Sequence, residues 1–132
     1  MTTDYFSTFI TASPDSTAAQ GVPPAKPETI AGLQYVLLSQ HPYARTSDEL
    51  LFDVHCQRSG IGGAAKGAAR ESFLAKSKAC LRASPLVKQH GWGLHFDKDG
   101  KVALYGVESA EYRHFLQCDD IKVIPGMRSN RA

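Results

Sequence analysis

The chain has little cysteine, and what it has is poorly placed for chemistry. Cys56, Cys80 and Cys118 are odd in number and widely spaced in a chain of 132 residues. A disulfide framework is therefore not expected, and the pattern fits a reducing compartment. There is no C-x-x-C and no H-x-x-x-H, the usual spacings of zinc ligands, so neither a metal nor a cofactor is expected. Long apolar runs are missing too: none approaches the ~20 residues that cross a bilayer. The opening residues, Met-Thr-Thr-Asp-Tyr-Phe, lack the basic and apolar regions of a secretory leader. These absences point to a cytoplasmic protein with no membrane partner. Its length suits a single domain that buries about two thirds of its unfolded surface, and no internal repeat divides it.

Charge is present but unevenly spread. The net value is +2. Residues 1–57 carry two basic and six acidic side chains, whereas residues 58–88 carry seven basic ones against Glu71 alone. A basic middle block can attract a small anion or nucleic acid. It can equally be a solvated helix face, or pair with the acidic first segment. Nucleic-acid binding is not expected, because no recognised module accompanies the block.

The clearest local structure is a β-hairpin. Trp92, Leu94 and Phe96 alternate with Gly93, His95 and Asp97, the period of a strand with one buried face. A second apolar run follows from Lys101 to Val107, and Lys98-Asp99-Gly100 lies between them. A type I turn closed by a glycine bulge pairs Asp97 with Lys101. Leu94 then faces Leu104, Phe96 faces Val102, and Trp92 lies over Gly106. A two-residue turn would move Val102 and Leu104 to the wrong face, so the first register is preferred. It directs His95 and Tyr105 away from Trp92, which reads as core.

Around this hairpin the pattern predicts a strand near Thr8–Thr11 and a proline-rich loop over 13–27. A helix starting after Thr29 would turn Ile30, Leu33 and Leu37 inward and end at His41-Pro42. Thr46-Ser47-Asp48-Glu49 fits a capping box and Gly60 a left-handed stop, so a helix is expected over 47–58. Leu51, Val54, His55 and Arg58 would share one of its sides. A strand reading competes, since Leu50, Phe52, Val54 and Cys56 also alternate. Further helices are predicted over 68–78 and, capped by Ser109, over 110–117 with Tyr112, Phe115 and Leu116 inward. Ile121–Ile124 reads as a last strand.

Residues 59–67 form a glycine-rich linker. Gly60 to Ala65 matches G-x-G-x-x-A, but the preceding segment reads as helix and no acidic residue follows about twenty positions on. Lys66 is followed by Gly67, so the phosphate-loop pattern fails as well.

The most informative polar stretch runs from Cys80 to Lys88. Arg82 can fork onto a carboxylate or phosphate, and Lys88 can add a point charge. Ser84 can donate a hydroxyl bond, and Ser84-Pro85 resembles a helix start. With His95, Tyr105 and Glu108 these make a candidate site for a small anionic ligand. The competing reading has Arg82 tying the loop to backbone carbonyls or to Glu108. Two alternatives stand beside the ligand-binding reading. One is an interaction module or homodimer without enzymatic activity. The other is a thiol enzyme in which Cys80 would need His90 or His95 and Glu108 for activation.

Several segments taken together carry a resemblance. They are Tyr43-x-x-Thr46-Ser47-Asp48-Glu49-Leu50-Leu51-Phe52-x-Val54-His55, Cys80-Leu81-Arg82-x-Ser84-Pro85-Leu86-x-Lys88, Gly91-Trp92-Gly93-x-His95, Gly100-Lys101-x-Ala103-Leu104-Tyr105-x-Val107-Glu108-Ser109-x-Glu111-Tyr112 and Met127-Arg128-Ser129. The chain resembles a family of small, mainly bacterial proteins classified as a domain of unknown function. The likeness spans nearly the whole chain and implies no catalytic residue. The glycine-rich segment departs from the more charged, helix-favouring stretch of that family. The fold expected is α+β: a small antiparallel sheet centred on the 92–107 hairpin, joined by the first and last strands, with helices on one face.

Overall fold

The computed structural model describes residues 4–63, 65–75 and 81–127. Among these the order is β1 (Thr8–Thr11), α1 (Ile30–Gln40), α2 (Ser47–Ser59), α3 (Ala65–Ala75), a 3₁₀ turn (Leu81–Ala83), α4 (Pro85–Lys88), β2 (Trp92–Phe96), β3 (Val102–Gly106), α5 (Ala110–Leu116) and β4 (Lys122–Pro125). This is the expected α+β fold. None of these helices is long and apolar enough to cross a membrane. Cys80 lies outside the described residues.

The hairpin has the three-residue turn. Leu94 pairs with Leu104, Phe96 with Val102 and Trp92 with Gly106. The Asp97 amide donates to the Lys101 carbonyl, and Gly100 takes the left-handed conformation at φ 81° that a side chain would strain. The strands lie in the order β3-β2-β1-β4. Both hairpin strands and the β1–β2 pair are antiparallel, and the β1–β4 pair is parallel, so the sheet is mixed. The cause is topological. β3 runs in the same direction as β1, and the chain leaves β3 through α5 to reach the far edge as β4. Such a connection must cross one face of the sheet.

That crossing places helices on both faces. Ile10, Leu94, Phe96 and Val102 turn one face towards α1, α2 and α4 and form the core with Leu38, Leu50, Leu81, Leu86 and Val87. On the reverse face Phe9 is fully buried beneath Tyr112 and Phe115 of α5, at ring distances of 5.0 and 5.1 Å. Leu116, expected inward, is 47% exposed, because Tyr112 and Phe115 take the contact with the sheet. Trp92 is partly buried against the core. Its indole donates to the Val22 carbonyl at 2.8 Å, which pins the proline-rich loop over it.

The competing strand reading of 50–57 also has its explanation. Thr46 accepts from the Glu49 amide, Glu49 reaches back to the Thr46 amide, and Gly60 stops the helix in the left-handed region. Leu50, Phe52, Val54 and Cys56 are nevertheless all buried. A helix does this when it is covered on more than one side: Leu50 faces the sheet core, whereas Phe52 meets Phe73 of α3 at 5.6 Å.

Candidate functional site

The side of α2 on which spacing groups Leu51, Val54, His55 and Arg58 lines a cavity of about 410 Å³. The opposite walls are Ile30 and Gln34 of α1, Phe73 of α3 and the Ser84-Pro85 entrance to α4. Each wall has a local cause. Thr29 caps α1 by accepting from the Gly32 amide, which presents Ile30, 45% exposed, at the start of the helix. α1 was expected to bury Ile30, Leu33 and Leu37, but Ala31, Gly32, Gln34 and Leu38 are its buried residues. Burial of the polar Gln34 is made tolerable by Ser84, whose hydroxyl donates to Gln34 Oε1 at 2.6 Å. α3 is fixed by Phe73, stacked on the His55 ring at 4.9 Å.

A second concavity of about 510 Å³ adjoins the first and shares Ile30, Arg58 and Pro85 with it. It adds Lys26 and His90. The combined groove is thus mostly apolar in both parts, with Arg58 shared between them and Lys26 and His90 at the second. No aspartate or glutamate is among the described residues that line either part. Two ion pairs join described residues, Arg45 with Asp53 and Lys101 with Glu49, and Arg58 belongs to neither.

A separate polar cluster occupies the reverse face of the sheet. The Tyr43 hydroxyl lies 2.8 Å from His95 Nδ1 and 2.8 Å from the Tyr105 hydroxyl. The His95 ring stacks on Phe115 at 4.1 Å with planes 12° apart. Burial pushes the Tyr43 hydroxyl well above the ordinary tyrosine value, helped by its bond to Tyr105. Burial also lowers His95, against a smaller opposing pull from Asp97, so the imidazole favours its neutral form.

The six residues singled out from the sequence are distributed over these features and beyond them. Ser84 lies in the groove with its hydroxyl committed: it donates to Gln34 and accepts from the Leu86 amide. His95 and Tyr105 come together on the reverse face through Tyr43. Arg82 Nε donates to the Pro125 carbonyl at 2.6 Å, and its own carbonyl accepts from Met127, so it fastens the 3₁₀ turn to the end of β4. Lys88 is the half-buried last residue of α4. Glu108 accepts from the Gly21 amide at 2.7 Å and anchors the proline-rich loop. The six do not form one patch. Sequence reasoning grouped His55 and Arg58 on one helix side without assigning them to a site. It did not single out Lys26 or Tyr43 and named His90 only as a base for Cys80; the neighbours of all three come from remote parts of the chain.

Residues 1–132 match the family described as "Family of unknown function (DUF6157)", and the chain belongs to that family. It matches no curated protein and no solved structure.

Proposed function

We propose that this member of the family binds a small organic anion in the groove between α1, α2, α3 and α4. The observation that carries the reading is the lining: an apolar floor beside Arg58, Lys26 and His90, with no carboxylate among the described lining residues. Cavities of about 300–1,000 Å³, mostly apolar with a few convergent polar groups, are the common form of small-ligand sites. Arg58 is in neither ion pair found among the described residues, and its guanidinium can fork onto an external carboxylate. The Ser84 hydroxyl shapes the wall through Gln34, while Arg82, His95, Tyr105 and Glu108 act elsewhere in the fold.

The test is an NMR titration of the full chain with benzoate, octanoate and phenyl phosphate at neutral pH. Saturable shifts are expected at Ile30, Leu51 and Val54, weakened about tenfold by Arg58→Ala, as for loss of a charged hydrogen bond. If none of the three anions moves these residues, the reading fails.

A further inference from the structure

Resting on that groove reading, we infer that the proline-rich loop is the clamp of the groove. Glu108 and Trp92 latch the loop at residues 21–22, and groove occupancy and latching favour one another. The loop supplies one wall, since Pro24, Ala25 and Lys26 line the second concavity. Just before that wall the chain is fastened to residues that flank the hairpin. Gly21 N donates to Glu108 Oε1 at 2.7 Å, and Val22 N donates to the His90 carbonyl at 2.9 Å. The Trp92 indole donates to the Val22 carbonyl at 2.8 Å. Two glycines allow this close approach. A Cβ on Gly21 would stand 2.9 Å from the Trp92 ring, and one on Gly91 would stand 2.4 Å from the Gln20 carbonyl oxygen.

Latch and wall are mechanically one piece. Pro23 and Pro24 follow Val22 directly; each fixes its own φ and restricts the residue before it. Movement at one end is therefore passed to the other rather than absorbed. Beyond the wall, the Lys26 carbonyl accepts from the Thr29 amide and from the Thr29 hydroxyl, which seats the loop on the start of α1. His90 joins the two sides a second time, because its carbonyl holds Val22 and the residue lines the groove with Lys26. Release does not require opening the core: the Gly21–Glu108 bond is exposed and Trp92 is only partly buried. Segments held at a few points near solvent are those that open locally. An occupant that touches Pro24 and Lys26 stabilises the latched loop. Such coupling is reciprocal, so weakening the latch lowers the affinity of the groove.

Trp92 is the single tryptophan and is not among the residues lining either concavity, so its emission reports the latch rather than direct contact. The experiment titrates the full chain with octanoate, benzoate and phenyl phosphate while following Trp92 emission and the NMR shift of Ile30. An anion that moves Ile30 should change Trp92 emission with the same midpoint. At saturation, amide exchange at Gly21 and Val22 should slow several-fold. Glu108→Ala should red-shift the starting emission and weaken binding about fivefold, with saturating anion restoring the wild-type emission. Glu108→Gln, which keeps an acceptor for Gly21, should recover most of the affinity. Movement of Ile30 with Trp92 emission and Gly21 exchange unchanged would overturn the clamp and leave the groove reading standing; this comparison needs no variant. Unchanged affinity in a folded Glu108→Ala would overturn the clamp as well. Absence of an Ile30 shift with all three anions would remove the groove reading and the clamp with it.

Discussion

The Tyr43 hydroxyl stands 2.8 Å from Nδ1 of His95, joining a loop between two helices to the middle of the sheet. Its reach has a backbone cause. Tyr43 is held at φ 58°, a left-handed conformation unusual for a side-chain-bearing residue. Around it the loop follows the outer edge of β3: Tyr43 N donates to the Val102 carbonyl, and Val102 N donates to the Arg45 carbonyl. The otherwise open edge of β3 is thereby covered, and the phenol is swung over the face that carries His95 and Tyr105.

Tyr43→Phe keeps the ring and its edge-on contact with His95 but removes the hydroxyl shared by two partners. Both partners are half-buried, so the loss is expected to cost about 1–2 kcal/mol. Urea unfolding followed by circular dichroism measures it. A change within experimental error would show that the cluster does not contribute to stability.

His95 gives a pH dependence with a definite sign. Its folded value lies below the ordinary 6.5, so between those two values the unfolded chain takes up a proton that the folded chain refuses. Stability should be fully present above about pH 6.5. It should fall as the pH drops through the window and level off once the folded imidazole is charged as well. The effect is modest because the ring is only half-buried. Comparing urea midpoints at pH 7.5 and 5.5 in the wild type and in His95→Gln isolates it: the variant should lose less stability on acidification. An identical loss in both would place the titration elsewhere.

How much of this was legible in the chain differs from element to element. The hairpin was readable to the residue, because alternation, Gly100 and the Asp97–Lys101 closure all favour one register. The start of α2 was readable from Thr46 and Glu49, and its end from Gly60. These signals are local. The parallel placement of β4 is not local, since Val123 pairs with Phe9 across most of the chain length. The burial of Gln34 depends on Ser84, fifty positions away, and no periodicity rule anticipates a polar residue on the inner side of a helix. The groove escaped for the same reason. His55 and Arg58 were correctly grouped on one helix side, but what lies opposite them is set by Ile30, Phe73 and Pro85 from three other elements.

Gly93 supplies a packing test on the reverse face. A Cβ built there would stand 2.7 Å from both the Phe9 and Tyr112 rings, inside the closest approach of real side chains. Gly93→Ala must push α5 off the sheet or move Phe9, and overpacking of this kind costs about 1–3 kcal/mol. The damage should be one-sided: amide exchange should quicken in α5 while the core contacts of Leu94 and Phe96 stay protected. A neutral Gly93→Ala would mean that α5 is loosely seated.

Arg82→Ala separates a structural tie from a ligand contact. Arg82 was the first anion-binding candidate in the sequence, yet its Nε donates to the Pro125 carbonyl at the end of β4. Its backbone carbonyl, which the substitution retains, receives the Met127 amide. Removing the guanidinium should therefore loosen β4 without disturbing the groove. Amide exchange of Val123 and Ile124 should accelerate several-fold, with a stability loss of about 1 kcal/mol. Octanoate affinity should stay within about twofold of wild type, in contrast to the roughly tenfold loss expected for Arg58→Ala. Abolition of octanoate binding by Arg82→Ala with β4 exchange unchanged would reverse the two assignments, making Arg82 the anion contact.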